Sequence, residues 1–323
     1  MHHWDSDGIA SAVIISNYIG AKKEFIVPKI GTYTYTSINI NSVINANPDF
    51  IVLVDYGINI SEVEELRRNV KCEVAIVDHH LNNPGRNILV CNPLVYGESS
   101  AKYPSTTWVI REYLKFEDSG KTVLGVIGDV GWNIRDHSVK TYVLRFMGEH
   151  GLSLGDLKKA VEHVDSCYKL VNYECINYAR DVLAEKNAIG VLEDKLLAMK
   201  AREVREEMWK AIEESVLLET KGPIKVFSTK SKAYITSSIG RFLAEKNSKD
   251  IVVVRVYVEK LGLTNIYVRS LKYKVGKIIP TLKSKGFNVG GKNHVFSIVC
   301  ERSCDEELKM VVSILERQLG GLV

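Results

Sequence analysis

Val74-Ala-Ile-Val77-Asp78-His79-His80 is a short apolar run that stops on an acid and two imidazoles. Such a run, bounded this way, reads as a buried strand of a parallel sheet. A second run of the same kind, Phe50-Ile-Val-Leu-Val54, ends on Asp55-Tyr56-Gly57. Between them, Ser61-Glu-Val-Glu-Glu-Leu-Arg-Arg68 reads as a helix capped by Ser61, with Glu64 three residues on. Strand, helix and strand make a βαβ unit, which sets the fold class as α/β with a parallel sheet in the N-terminal half. Pro104-Ser105-Thr106 opens another helix through Leu114, and Val123-Leu-Gly-Val-Ile127 reads as the next strand, delivering Gly128-Asp129. Strand carboxyl ends of an open α/β sheet line one crevice, so Asp55, Asp78, His79, His80 and Asp129 are expected to converge there.

The chain begins with a matching set, His3-Trp4-Asp5-Ser6-Asp7-Gly8, followed by a helix from Ile9 to Ile19. Gly8 offers the backbone freedom of a turn that aims both acids inward. Taken alone, Asp5 and Asp7 also read as helix N-caps. Beside Asp78-His79-His80 the metal reading is preferred. Carboxylates and imidazoles without thiolates suit Mn²⁺ or Mg²⁺, and admit Zn²⁺ or Fe²⁺. A pair of such ions activates a water and neutralises charge on a phosphoryl group.

These motifs resemble the DHH phosphoesterases, a family that includes RecJ exonucleases, nanoRNases, cyclic-dinucleotide phosphodiesterases and archaeal RecJ-like nucleases. His3-x-Asp5-x-Asp7-Gly8 resembles the first family motif, Val54-Asp55-Tyr56-Gly57 the second, Asp78-His79-His80 the third and Gly128-Asp129 the fourth. The resemblance implies that His3 and Asp5 hold one metal, that Asp7, His79 and Asp129 hold the other, and that Asp55 bridges. It implies further that His80 contacts the scissile phosphate or assists the leaving group, while Asp78 orients a histidine. Two divalent ions are implied as cofactors, Mn²⁺ first and Mg²⁺ second. The family normally leads into its first motif with an apolar strand; here only Met1 and His2 precede His3.

Charge divides the chain. Residues 222–323 carry 18 Lys and Arg against 8 Asp and Glu, a balance of +10, whereas residues 1–221 carry 25 against 31, a balance of −6. The division falls beside Gly222-Pro223, which ends a long helical pattern from Leu192 to Val216. The organisation read from this is a catalytic domain over 1–188, a linking helix over 189–221 and a smaller α/β substrate-binding domain over 222–323. The last lobe is expected to hold strands at 224–227, 251–258, 264–270 and 295–299, and helices at 235–244 and 306–319.

This lobe resembles the DHH-associated substrate domain, whose signature is a glycine-rich loop ending in histidine. Here the loop reads Gly290-Gly291-Lys292-Asn293-His294, two glycines in place of the usual three. Successive backbone N–H groups at such a turn point at phosphate, and His294 adds a donor. Val268-Arg269-Ser270 resembles the strand that offers an arginine to substrate phosphate. A basic lobe attracts a phosphate backbone.

No stretch is long and apolar enough to span a bilayer, and the N-terminus has no basic-then-apolar secretory pattern. The six cysteines are scattered without CxxC pairs and read as thiols of a reducing cytoplasm. Trp132 reads either as a base-stacking or as a packing residue, and His137, His150 and His163 as surface or packing histidines.

The resemblance implies a metal-dependent phosphodiesterase, an exonuclease cutting single-stranded DNA or RNA or short oligonucleotides to mononucleotides. A second reading is hydrolysis of cyclic dinucleotides or adenosine bisphosphate. A third, of another class, is a non-catalytic RecJ-like replication scaffold. A homodimer and replication or repair partners are compatible with each.

Overall fold

The computed structural model describes the chain apart from residues 21–22, 32–39, 58–59, 81–87, 302–303 and 321–323. Helices α1 (Ser6–Tyr18) and α2 (Ile40–Ala46) lead into β1 (Phe50–Val54), α3 (Ile60–Val70), β2 (Glu73–Val77) and β3 (Leu89–Cys91). A helical stretch follows: α4 (Thr106–Val109), α5 (Ser119–Val130), α6 (Lys140–His150), α7 (Leu154–Lys169), α8 (Tyr173–Glu193) and α9 (Lys195–Glu213). The chain then runs through β4 (Val216–Lys221), β5 (Ile224–Ser231), α10 (Thr236–Lys246), β6 (Ile251–Val258) and β7 (Leu263–Ser270). It ends with α11 (Ile279–Ser284), β8 (Val289–Lys292), β9 (Val295–Cys300) and α12 (Asp305–Gly320). Two compact units result, Met1–Tyr168 with Asn172–Ala201, and Lys169–Val171 with Arg202–Val323.

In the first unit β1, β2 and β3 form a parallel sheet in that order, with Phe50 opposite Glu73 and Val54 opposite Val77. Both β1 and β2 begin exposed and end buried on both faces, so their carboxyl ends carry Asp55 and Asp78 into the interior. Residues 1–3 extend the sheet on the free edge of β1. Met1 donates its amino group to Val52 O at 2.8 Å, and His3 N donates to Val54 O at 3.1 Å. The short N-terminal stretch thus runs parallel to β1 and brings His3 to the same end of the sheet.

One expected strand is a helix. Val123–Ile127 lies within α5, so Asp129 comes from a helix end. Asp118 caps that helix, its Oδ1 accepting from Lys121 N at 3.1 Å. Gly125 and Gly128 then make a smooth stripe that lets α1 approach. A Cβ on Gly125 would lie 2.3 Å from Asp7 Oδ1, and one on Gly128 would lie 2.4 Å from Ser6 Oγ. Residues 120–127 are buried, and the apolar run Val123–Ile127 is too short for its period to separate a buried strand from a helix segment. Helix α3 begins at Ile60, which places Ser61 inside its first turn and not at the cap.

The long pattern from Leu192 to Val216 is also broken. Asp194 ends α8 and accepts from Leu197 N at 3.0 Å through Oδ1, starting α9 afresh. The segment 189–221 therefore contains a helix end, a complete helix and strand β4. No helix among the described residues is long and apolar enough to cross a membrane.

The second unit is a six-stranded mixed sheet, ordered β4-β5-β6-β7-β9-β8, with β5 and β6 parallel and the other pairs antiparallel. Strand alternation feeds two cores. Val252, Val254, Val256 and Val258 pack with Ile239 and Leu243 of α10, while Ile251 and Val253 join Ile266, Phe296, Val311 and Leu315 on the opposite face. Four cysteines are paired, Cys167 with Cys175 and Cys300 with Cys304, which corrects their reading as thiols; Cys72 and Cys91 are free. The pairs are eight and four residues apart, and neither is a CxxC.

Candidate metal centre

The acids and imidazoles of the first unit meet at the carboxyl end of its sheet. Asp55 stands just beyond β1 at φ 57°, a left-handed conformation that aspartate tolerates better than most residues. Its carboxylate is 2 % exposed and central. Oδ2 lies 3.9 Å from His3 Nδ1, and Oδ1 lies 3.5 Å from His79 Nε2 and 3.8 Å from His80 Nδ1. His3 Nδ1 also lies 2.8 Å from Asp5 Oδ2, and His79 Nε2 lies 3.2 Å from Asp129 Oδ2. Three sets of donor atoms, each within 4.8 Å of one another, follow: His3, Asp5 and Asp55; Asp7, His79 and Asp129; Asp55, His79 and His80.

Neighbouring amides and hydroxyls fix these donors. Asp5 caps α1, accepting from Gly8 N at 3.1 Å, so its capping and clustering roles coincide. Asp7 accepts from Thr106 N at 2.6 Å and Thr107 N at 3.0 Å. Thr106 Oγ1 donates to Asp55 Oδ1 at 2.8 Å. Asp78 organises the loop: Oδ1 accepts from His79 N at 2.7 Å and His80 N at 3.2 Å, and Oδ2 from Gly57 N at 3.1 Å. His80 Nδ1 lies 2.8 Å from Asp78 Oδ1. A carboxylate only accepts, so Nδ1 carries the hydrogen and Nε2 is left for another partner. Sequence reading did not single out Thr106, Thr107 or Asn92, whose side-chain amide donates to His80 O at 2.7 Å. Two of the bonds to Asp7 come from backbone N–H groups, which no residue type announces.

Electrostatics test whether this set suits cations. Burial, then the charges of Asp7, Asp5, Asp129 and Asp78, drive the Asp55 carboxyl well above the usual range. Burial, opposed by the Thr107 and Thr106 amides and reinforced by Asp5, pushes Asp7 up to about 6. Burial also acts to raise Asp5, but the charge and hydrogen bond of His3 outweigh it and bring the group to about 2. His79 is lowered to about 4 by burial and by His80, which keeps its imidazole neutral and able to ligate. Burial opposes charge on His80, yet the hydrogen bond and charge of Asp78 raise it. Carboxylates crowded until two of them resist ionisation, beside neutral imidazole, fit divalent ions of the hard-to-borderline class.

The candidate substrate residues lie together in the second unit. Arg269 on β7 is opposite Val295 on β9, and Gly290, Gly291 and Lys292 form β8. A Cβ on Gly291 would lie 2.3 Å from Val295 O, so the hairpin admits only glycine there without shifting. His294 O accepts from Ser270 N at 3.1 Å, which ties the turn to the end of β7 beside Arg269. Trp132 is 54 % exposed with Lys158 Nζ 4.0 Å from its ring centroid, and His163 is buried with Nδ1 3.0 Å from Val191 O.

Residues 1–127 match the DHH family, N-terminal domain. Comparison with curated protein sequences gives no match. Among solved structures, a DHH-domain member of the s1p family of ribosomal proteins superposes with TM-score 0.68 at 16% identity, covering 98% of this chain and 85% of that one. An exonuclease RecJ bound to manganese superposes with TM-score 0.59 at 16% identity, covering 96% and 87%. A pGpG-specific phosphodiesterase from Vibrio cholerae gives TM-score 0.52 at 11% identity, covering 99% of each. At these identities the likeness is one of fold.

Proposed function

We propose that this chain, whose residues 1–127 match the DHH family N-terminal domain, is a metal-dependent phosphodiesterase that trims single-stranded nucleic acid or short oligonucleotides to mononucleotides. The observation that carries the reading is Asp55, whose two oxygens face different donor sets, Oδ2 towards His3 and Oδ1 towards His79. His3 and Asp5 would hold one ion, Asp7, His79 and Asp129 the other, with Asp55 between them. When bound, two such ions supply an activated water and neutralise charge on the phosphoryl oxygens. Mn²⁺ is the proposed metal, with Mg²⁺ as its substitute.

The chain's own groups do the rest. His80, with Nδ1 held by Asp78 and its pKa raised, carries a proton on Nε2 for the phosphate or the departing oxygen. Asp78 positions that ring and does not itself touch the reacting atoms. Arg269, Lys292, His294 and the Gly290-Gly291 backbone would grip substrate phosphates in the second unit. A second reading, hydrolysis of very short or signalling nucleotides such as cyclic dinucleotides or adenosine bisphosphate, has the likeness to a pGpG-specific phosphodiesterase in its favour. The intact acid–histidine set weighs against a purely structural scaffold.

Asp55→Ala should reduce Mn²⁺-dependent release of mononucleotides from an end-labelled oligonucleotide by about a hundred- to a thousandfold, the scale of losing one preorganised electrostatic group. Normal turnover by that variant in Mn²⁺ would sink the two-metal reading. Wild-type digestion of 5′- and 3′-labelled DNA and RNA, beside a cyclic dinucleotide, separates the two substrate readings.

A further inference from the structure

Residues 260–300 contain eight Lys and Arg and no Asp or Glu. Three of the lysines, Lys272, Lys274 and Lys277, lie in the loop after β7 and are exposed. With Tyr273, Val275 and Gln318 they line a cleft of about 200 Å³.

The loop is held in place. Ser270 Oγ accepts from Lys272 N at 3.2 Å and Tyr273 N at 3.1 Å, and donates to Asp250 O at 2.8 Å. Gly276 N donates to Asn293 O at 2.9 Å, and a Cβ on Gly276 would lie 2.3 Å from Lys292 O. His294 Nδ1 lies 3.0 Å from Tyr273 O. The lysine loop and the glycine turn are therefore one continuous surface, joined backbone to backbone.

Several lysines elsewhere in the same unit are ion-paired. Lys225 meets Asp250 at 2.9 Å, Lys221 meets Glu219 at 3.1 Å and Lys309 meets Glu306 at 3.0 Å. Among the described residues, no carboxylate lies within ion-pair distance of Lys272, Lys274, Lys277 or Lys292. A merely solubilising surface intersperses both signs. Gathered cations without counter-charges repel one another and are relieved by a polyanion. The alternation Lys272-Tyr273-Lys274 sets an aromatic ring between two cations, with Lys272 Nζ 5.2 Å from the ring centroid. That combination suits a strand with both phosphates and unstacked bases.

We propose that Lys272, Lys274 and Lys277 form a phosphate-backbone subsite for a linear single strand, continuous with the glycine turn. It makes the chain favour oligonucleotides of several residues over dinucleotides and cyclic dinucleotides. The proposal rests on the phosphodiesterase reading for what happens to the strand, whereas the binding surface stands on its own.

The test compares the full-length protein with a Lys272→Gln, Lys274→Gln, Lys277→Gln variant, in chelator so that nothing is cleaved. Fluorescent oligothymidylates, a dinucleotide and an octanucleotide, are titrated at several salt concentrations. The variant should lose affinity for the octanucleotide by about 10-fold or more and for the dinucleotide by no more than about twofold. Its log–log salt slope for the octanucleotide should shrink by about 2, three phosphates at about 0.7 each. An unchanged octanucleotide affinity, an equal loss on both ligands, or binding to anionic phospholipid vesicles in preference to the octanucleotide overturns the proposal. Mn²⁺-dependent hydrolysis is assayed separately. A wild type that binds with this length dependence yet cleaves no phosphodiester defeats the proposed function and leaves the subsite standing.

Discussion

At the residue scale, the candidate centre is a problem of unbalanced charge. Asp7 near 6 and Asp55, itself raised well above the usual carboxylate range, resist ionisation when no cation is present, while His79 near 4 is already neutral above that value. A divalent ion must displace the Asp7 proton below pH about 6, whereas above it the carboxylate is ready. Apparent Mn²⁺ affinity should therefore fall as pH drops below about 6, approaching about tenfold per unit for each proton displaced, with protons released on binding. Calorimetry in buffers of different ionisation enthalpy measures that release, and a pH-independent affinity with no release contradicts the assignment. The two histidines separate in the same way. His79→Ala should deplete one of two ions after desalting, because its Nε2 faces Asp55 and Asp129. His80→Ala should lower turnover with metal content largely retained, because its Nδ1 is held by Asp78. Equal metal loss in both variants, read by metal analysis, would remove the distinction.

At the element scale, what the sequence discloses depends on whether an element has an asymmetric environment. β1 and β2 end in chemistry, and their apolar runs change abruptly at Asp55 and Asp78, so strand ends and candidate residues were readable together. The hairpin of β6 and β7 was readable from the β-branched run Ile251–Val258. α5 was not, since the five-residue apolar run Val123–Ile127 is too short to show a helical period, and Gly125 and Gly128 mimic a strand-to-turn boundary. The backbone donors of Thr106 and Thr107 to Asp7 were equally silent. Gly125 itself is testable. In an open helix Gly→Ala gains about 1 kcal/mol, and Gly148 on α6, with nothing within 4 Å of its would-be Cβ, should show that gain or remain neutral. A Cβ on Gly125 would instead meet Asp7 Oδ1 and Thr107 Oγ1, both at 2.3 Å. Overpacking of this kind costs about 1–3 kcal/mol, so Gly125→Ala should melt at a lower temperature and bind less Mn²⁺. A Gly125→Ala protein with wild-type melting and full metal content would show that α1 and α5 have room to separate.

At the scale of the whole molecule, a net charge of +4 conceals a balance of −6 before residue 222 and +10 from there on. An acidic half that would concentrate cations and a basic half that would attract a phosphate backbone act by long-range fields, and salt screens such fields. Arg269 is the residue at which this division becomes a single measurement. It is partly buried on β7, with Nη1 3.4 Å from Tyr267 OH and no partner at Nε among the described residues. Arg269→Ala should weaken binding of an uncleaved pentanucleotide by chelated protein and reduce the log–log salt slope by about 0.7, the share of one phosphate on a single strand. Arg269→Lys keeps the charge but lacks the planar fork, so the slope should survive while affinity falls. His294→Ala removes a hydrogen-bonding ring and should weaken binding while changing the slope less than Arg269→Ala does. Identical affinities and slopes for wild type and all three variants would mean that the second unit grips no phosphate at this turn.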